Sequence, residues 1–206
     1  MGRGTEYRLP AAAVSGQQVA RRVRILRAAS ELAAREGLAN VQMQDVAKEA
    51  RVALGTLYRY FPSKPYLFTA VLEWHIETNL GEHGKDRGAD AEAERATDVA
   101  DTLIELSAKL LDSPLLASAT ALSAYTEYAA AIPTRFDIVE SGLGQTLLRV
   151  LGVSEAGEQD RSVVRLLIYS WWGLFVAMLT EEITVQQAES DLRLAARSLL
   201  AVYDAT

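Results

Sequence analysis

The sequence of 206 residues contains no cysteine, which excludes disulfide bonds and thiolate metal sites. This absence agrees with a cytoplasmic location, which we expect. Histidine is also scarce, with only His75 and His83 in the chain. Neither histidine belongs to an H-E-x-x-H motif or follows a glutamate by three residues, so the patterns of zinc peptidases and di-iron bundles are absent.

Other signatures of enzymes and membrane proteins are missing as well. The chain has no G-x-S-x-G motif, no phosphate-binding P-loop and no strand-like alternation. No apolar run reaches about 18 residues, and the N-terminus lacks the apolar segment of a signal peptide. We therefore expect no catalytic residue, metal or cofactor, and no membrane partner.

What the chain does contain is a large apolar fraction and an uneven charge. Half of the residues are hydrophobic, so a sizeable core is available. Residues 1–66 hold 11 Lys or Arg and 5 Asp or Glu, whereas residues 67–206 hold 10 and 22. A basic end on an acidic remainder is typical of a protein that contacts phosphates with one end only.

Helical periodicity without internal repeats predicts an all-α protein of about nine helices. We expect a flexible arm over residues 1–15, which either reaches the DNA minor groove or makes no contact. The head, residues 16–66, is predicted to be a helix-turn-helix DNA-binding domain. The body, residues 67–206, is predicted to be helical and to dimerise. Residues 81–88 form a polar, glycine-rich break after the helix that links head and body.

The stretch 41–64 predicts two short helices joined by a tight turn. Thr56, Arg59 and Tyr60 are expected on the outer face of the second helix, with Tyr58 at its edge. Two such helices make a helix-turn-helix, whose second helix can enter the major groove. The apolar residues expected to face the core are Val46, Ala47, Ala50, Leu57 and Phe61.

The same stretch carries a family resemblance. The run GTLYRYFPSK, preceded by DVAKEARV, resembles the DNA-binding segment of the TetR family of bacterial transcriptional regulators, over about residues 20–75. Within that family it is most similar to the branch that represses sterol catabolism in actinobacteria. Two residues depart from the pattern. Arg51 occupies the turn position where glycine is usual, and Ala53 replaces a Ser or Thr that would cap the second helix.

The resemblance implies a DNA-contacting set. Gln44 matches a position that can pair with adenine, and Arg59 one that can hydrogen-bond to guanine in bidentate fashion. Tyr60 and Lys64 match phosphate contacts. The alternative for all of them is an ordinary helical surface. The full predicted set is Gln42, Gln44, Gly55, Thr56, Tyr58, Arg59, Tyr60 and Lys64.

For the body, the resemblance implies a pocket for a small hydrophobic effector, either a steroid-like compound or an acyl-CoA. Aromatic side chains with polar tips suit such a ligand, although packing of the core is the alternative for each of them. The predicted pocket residues are Trp74, Tyr125, Tyr128, Phe136, Tyr169, Trp172 and Phe175.

The last two helices are predicted to form the interface of a homodimer, as part of a four-helix bundle. The predicted interface residues are Leu167, Ser170, Gly173, Leu174, Ala177, Leu192, Ala196 and Leu199. The sequence thus indicates a ligand-responsive repressor that binds a near-palindromic operator as a homodimer. The alternatives are an activator and a helical interaction module whose head has lost DNA binding.

Overall fold

The structure is a computed structural model that describes residues 16–80, 92–130 and 137–203. The expected arm over residues 1–15 and the glycine-rich break at residues 81–88 lie outside these ranges. The described residues contain no strand, which confirms the all-α prediction. They form nine α-helices and one short 3-10 helix (Ile138–Glu140): α1 Gly16–Asn40, α2 Met43–Glu49, α3 Leu54–Tyr60, α4 Lys64–Leu80, α5 Glu92–Leu111, α6 Pro114–Ala130, α7 Gly142–Val150, α8 Glu158–Leu179 and α9 Val185–Tyr203.

Local sequence signals set several of the helix ends. Before α4, the Ser63 hydroxyl accepts a hydrogen bond of 3.1 Å from the Tyr66 backbone N–H. Before α9, the Gln187 N–H donates to the Thr184 hydroxyl, and the Thr184 N–H donates to the Gln187 carbonyl oxygen Oε1, at 3.2 and 2.9 Å. The second pair is the capping box that the sequence predicts.

Two hydrophobic cores share helix α4. Leu67, Phe68 and Val71 from its first half belong to the core of the head. Leu72 and Ile76 from its second half belong to the core of the body. Helix α4 is therefore the link between head and body that the sequence predicts, and any displacement of α4 disturbs both cores. The head core also takes in Leu116 and Ala119 from α6.

Helix α8 runs through the body core. The indole N–H of Trp171 donates a hydrogen bond of 2.9 Å to the hydroxyl of Ser107 on α5, and the Trp171 ring stacks on Phe175 at 5.6 Å between centroids. At 22 residues, α8 is long and apolar enough to cross a membrane by length and composition alone, although it contains no unbroken apolar run of about 18 residues. Many of its apolar side chains belong to the body core. The buried residues of α8 are Val163, Val164, Leu167, Ile168, Trp171, Phe175 and Met178.

Candidate nucleic-acid interface

The turn between α2 and α3 has the geometry of a Schellman motif. The Arg51 N–H donates to the Lys48 carbonyl at 3.1 Å, and the Val52 N–H donates to the Ala47 carbonyl at 2.9 Å. This pattern requires a left-handed residue, and Arg51 has φ of 54°. A left-handed conformation costs a non-glycine residue about 1–2 kcal/mol. The strain that the sequence predicts at Arg51 is therefore present.

Helix α3 begins without a side-chain cap. Ala53 is its N-cap residue and makes no side-chain hydrogen bond. A Ser or Thr hydroxyl there would stabilise the helix by about 1 kcal/mol. Gln42, the N-cap residue of α2, also makes no side-chain cap and is exposed. Both helices of the motif are therefore held by packing on the head core rather than by their caps.

The outer face of α3 is formed by residues at positions i, i+3 and i+4. Gly55, Tyr58 and Arg59 are exposed, and 46% of Tyr58 is accessible. A Cβ atom at Gly55 would meet no atom within 4 Å. The protein's own packing therefore does not require glycine at this position, and the missing side chain leaves room for an external group.

The remaining predicted DNA-contacting residues lie around this face. Gln44 is exposed on α2, which precedes the turn. Thr56 on α3 and Lys64 at the start of α4 are both half-buried. Partial burial lowers the pKa of the Lys64 amine. The structure shows where these side chains lie, and their contacts with DNA stay a prediction.

Tyr60 is the exception, and its predicted placement on the outer face is wrong. Only 6% of Tyr60 is exposed, and its ring lies 6.3 Å from the ring of Phe61, between centroids. The reason is the helical period, since Tyr60 follows the buried Leu57 by three residues and so shares its face. Arg59, by contrast, places its guanidinium carbon 5.8 Å from the centre of the Tyr60 ring, so the exposed arginine rests on the buried tyrosine.

A second arginine packs on Phe61, the other ring of this aromatic pair. The guanidinium carbon of Arg22, on α1, lies 5.7 Å from the centre of the Phe61 ring. Glu73 on α4 is close enough to interact with Arg22 electrostatically. Burial raises the pKa of Glu73, Arg22 lowers it, and the neighbouring Glu77 raises it further. Arg22 thus packs on Phe61, directly after α3, and acts electrostatically on Glu73 of α4.

Two family profiles match the two parts of the chain. The N-terminal profile of the bacterial regulatory proteins of the tetR family matches residues 25–71, which include the helix-turn-helix. The profile of the tetracyclin repressor-like C-terminal domain matches residues 93–199, more than half of the chain. The chain belongs to the TetR family.

Curated relatives in this family are actinobacterial. The HTH-type transcriptional repressor KstR of Mycobacterium tuberculosis is 32% identical over 190 residues, which are 92% of this chain and 85% of that protein. KstR of Rhodococcus jostii is 32% identical over 186 residues, 90% of this chain and 85% of that protein. The predicted resemblance to the actinobacterial sterol-catabolism branch is therefore confirmed.

A solved structure extends the similarity to three dimensions. The crystal structure of a TetR transcriptional regulator from Rhodococcus sp. RHA1 is 37% identical to this chain and has a TM-score of 0.77. The match covers 91% of this chain and 98% of that one. The same TetR fold therefore extends over both the head and the body.

The predicted pocket residues that the structure describes do not form a single pocket. Tyr169 is 55% exposed on the outside of α8, so its assignment to a buried pocket is wrong. Phe175 is fully buried against Trp171, and Trp172 is half-buried beside them. Trp74 packs against the head core rather than within the body. The side chains of Tyr125 and Tyr128, on α6, and the whole of Phe136 lie outside the described residues.

One small cavity in the described part of the body measures about 20 Å³ and lies between α5, α8 and the start of α9, next to Ser107 and Met178. Ligand pockets usually measure about 300–1,000 Å³. Within the described ranges, no group of three His, Asp or Glu side chains is arranged to hold a metal ion.

Three of the predicted dimer residues are buried within a single protomer, so their assignment is wrong. Leu167, Leu192 and Ala196 are 1%, 3% and 0% exposed, and all three belong to the body core. Helices α8 and α9 are apolar on more than one side, and sequence alone does not show which side meets the protomer's own core. Ser170, Leu174, Ala177 and Leu199 are half-buried, and Gly173 is exposed.

An exposed apolar surface lies on the opposite side of α8, and of its residues only Gly173 is among those predicted for the interface. Leu166 and Val176 are 50% and 36% exposed, and with Tyr169 and Gly173 they form the stripe that we call the α8 stripe. Their spacing of i, i+3, i+7 and i+10 is a helical signal that the sequence carries. On α9, Leu194 is 56% exposed.

Proposed function

We propose that this TetR-family regulator is a homodimeric repressor that binds a near-palindromic operator and is released by a small hydrophobic effector. The head, residues 16–66, binds DNA, and the body, residues 67–206, dimerises and binds the effector. One observation carries the proposal. Gly55, Tyr58 and Arg59 form an exposed face on the second helix of a helix-turn-helix, in the basic part of an otherwise acidic chain.

Dimerisation is supported by the α8 stripe. Large apolar side chains at Leu166, Tyr169 and Val176 are exposed side by side on a helix whose opposite face is buried. Contiguous exposed apolar surface of this kind marks an interaction site. Gly173 lies in the middle of the stripe, where a Cβ atom would meet nothing within the protomer, so a partner helix has room to approach. A two-fold dimer carries two recognition helices and therefore requires a near-palindromic operator.

Release by an effector is supported by the relatives and by the position of α4. The curated relatives are named transcriptional repressors, and the family resemblance points to a steroid-like compound or an acyl-CoA. A ligand of that size does not fit the cavity of about 20 Å³ beside Ser107 and Met178, so binding there requires α5, α8 and α9 to separate. Because α4 contributes to both cores, separation of the body helices also displaces residues of the head core. An effector that binds only the separated form shifts the population towards it.

Operator binding is tested with the purified full chain and the DNA upstream of its own gene. We expect saturable binding that weakens steeply with salt, because phosphate contacts dominate affinity. Arg59→Ala should weaken operator binding by about 1–3 kcal/mol, the value of one bidentate base contact. Arg35→Ala is the matched control, since Arg35 is an exposed arginine of the head that is paired with Glu36 at 2.9 Å.

If the wild-type chain binds the operator no better than Arg59→Ala does, the DNA-binding function is wrong and a helical interaction module becomes the better description. The effector is tested separately, by melting the protein with a panel of steroids, acyl-CoAs and small aromatic compounds. A stabilising compound should also dissociate the operator complex. If no bulky apolar compound changes the melting temperature, the effector part of the proposal fails.

A further inference from the structure

Two non-glycine residues in the described ranges have left-handed backbone conformations, Arg51 at φ 54° and Glu181 at φ 57°. Both follow directly on the end of a helix in the same hydrogen-bond pattern. At the second site, the Glu181 N–H donates to the Met178 carbonyl at 3.2 Å, and the Glu182 N–H donates to the Ala177 carbonyl at 3.0 Å. Glycine is the residue that this position favours, because it has no Cβ atom. Arg51 and Glu181 therefore each occupy a position whose backbone conformation favours glycine.

No contact of the Arg51 side chain with a described residue explains why arginine rather than glycine occupies this position. Arg51 is exposed, and its guanidinium makes no hydrogen bond or ion pair with any described residue. Other arginines are engaged, such as Arg161 with Glu140 at 2.8 Å and Arg193 with Asp101 at 3.2 Å. Strained residues concentrate at functional sites, where the function compensates for the strain.

The position of Arg51 in the motif indicates what it contacts. Arg51 follows α2 and precedes the first residue of α3, Leu54, by three positions. When a helix-turn-helix docks, the N-terminal residues of its second helix contact base edges, and its first helix crosses the phosphate backbone. In the docked complex, the turn that joins these two helices therefore lies at the edge of the groove, next to the phosphates of the DNA backbone. A guanidinium is suited to a phosphate because it offers several donors in a planar fork.

We infer that Arg51 binds a phosphate of the operator backbone and that the strained turn holds it out from the head for this contact. The contact adds affinity that does not depend on the base sequence. This inference rests on the proposed DNA-binding function. It adds a positioning contact outside the set that the family resemblance implies.

The experiment compares four single variants of the full chain. Arg51→Gly removes the side chain and the strain, Arg51→Gln removes the charge but keeps the constrained backbone, and Arg51→Lys keeps the charge. Glu181→Gly is the matched control, because it relieves the same backbone conformation in the body. Melting temperature and operator affinity are measured for each variant, and affinity is measured over a range of salt concentrations.

We expect both glycine variants to melt at higher temperature than the wild type. Arg51→Gly and Arg51→Gln should bind the operator about fivefold more weakly. Their plots of log affinity against log salt should be shallower by about 0.9, the slope of one lost phosphate contact. The loss should be the same for operator and unrelated DNA. Arg51→Lys should recover most of the affinity, and Glu181→Gly should bind as the wild type does.

The inference is overturned if Arg51→Gln binds with the wild-type affinity and salt slope. It is also overturned if Arg51→Gly melts at lower temperature than the wild type, because the side chain then stabilises the fold itself. A loss of affinity with an unchanged slope assigns the effect to turn geometry and equally rejects a phosphate contact. A wild-type chain that binds no DNA under any salt condition is a different result, since it refutes the proposed function as a whole.

Discussion

The Nε2 atom of His75 on α4 lies 2.8 Å from the Oγ atom of Ser30 on α1. Ser30 is buried, His75 is half-buried, and the two residues are 45 positions apart in the chain. Their hydrogen bond connects the first helix of the head to the helix that links head and body. It also places an ionisable imidazole at this contact.

This contact predicts a dependence of stability on pH. Burial lowers the pKa of His75 below its ordinary value of about 6.5, so the folded state favours the neutral imidazole. The stabilisation is complete above pH 6.5 and is lost as the pH falls through the lowered pKa of the folded state. We expect the wild type to lose stability relative to His75→Gln as the pH falls below 6.5, as measured by urea unfolding. His83→Gln, at the second histidine, controls for a general effect of histidine titration, and equal pH profiles for all three proteins would contradict the prediction.

The buried carboxyl group of Glu73 predicts the opposite dependence of stability on pH. Burial raises the pKa of its carboxyl above the ordinary value of about 4.5, so ionisation opposes folding. The folded state keeps its full stability below pH 4.5 and loses part of it as the pH rises through the raised pKa. We therefore expect Glu73→Gln to raise the melting temperature at pH 7 by about 2–4 °C, which corresponds to about 1 kcal/mol in a chain of this size. The gain should vanish at pH 4, and Glu31→Gln, at an exposed position on α1, should show no gain at either pH.

The burial of Tyr60 predicts two separable effects in the head. Tyr60→Ala removes a ring that packs beside Phe61 and should reduce the free energy of unfolding by about 3–5 kcal/mol. Tyr60→Phe keeps the ring and should change stability by less than about 1 kcal/mol. Chemical denaturation measures both. A Tyr60→Ala variant as stable as the wild type would mean that the ring is not part of the head core.

Substitutions at two adjacent residues of α8 should have different effects, one on dimerisation and the other on folding stability. Leu166 is 50% exposed in the α8 stripe, whereas Leu167 is 1% exposed in the body core. Leu166→Glu should give a folded monomer in analytical ultracentrifugation, because a carboxylate would be buried without a partner in the dimer. Leu167→Ala should instead lower the free energy of unfolding by about 2–5 kcal/mol and keep the dimer at concentrations where the protein is folded. Dimerisation of Leu166→Glu with wild-type affinity would exclude the α8 stripe from the interface.

The predictions that succeeded rest on interactions within a few residues of the chain. The capping box at Thr184 and the Ser63 cap involve partners three positions away, so the residue types alone specify them. The strain at Arg51 likewise follows from a local turn that needs a left-handed residue. The helix-turn-helix and its family were identifiable for the same reason, since the residues that define it are contiguous.

The predictions that failed depended on which side of a helix meets another helix. Tyr169 and Phe175 are both aromatic residues of α8, and only the packing of other helices, chiefly α9 and α7, against that helix leaves one exposed and buries the other. Leu167 and Leu192 have the spacing of an interface, but the protomer's own core uses them. A helix that is apolar all round has no preferred inner face in its sequence.

The sequence by itself therefore determined the all-α class, the position of the helix-turn-helix, the basic head on an acidic body and the strained turn at Arg51. Only the tertiary structure decided that Tyr60 belongs to the head core, that α4 joins two cores and that the α8 stripe is exposed. The physical reason is that caps and turns depend on neighbours along the chain, whereas burial depends on helices that are distant in sequence and adjacent in space.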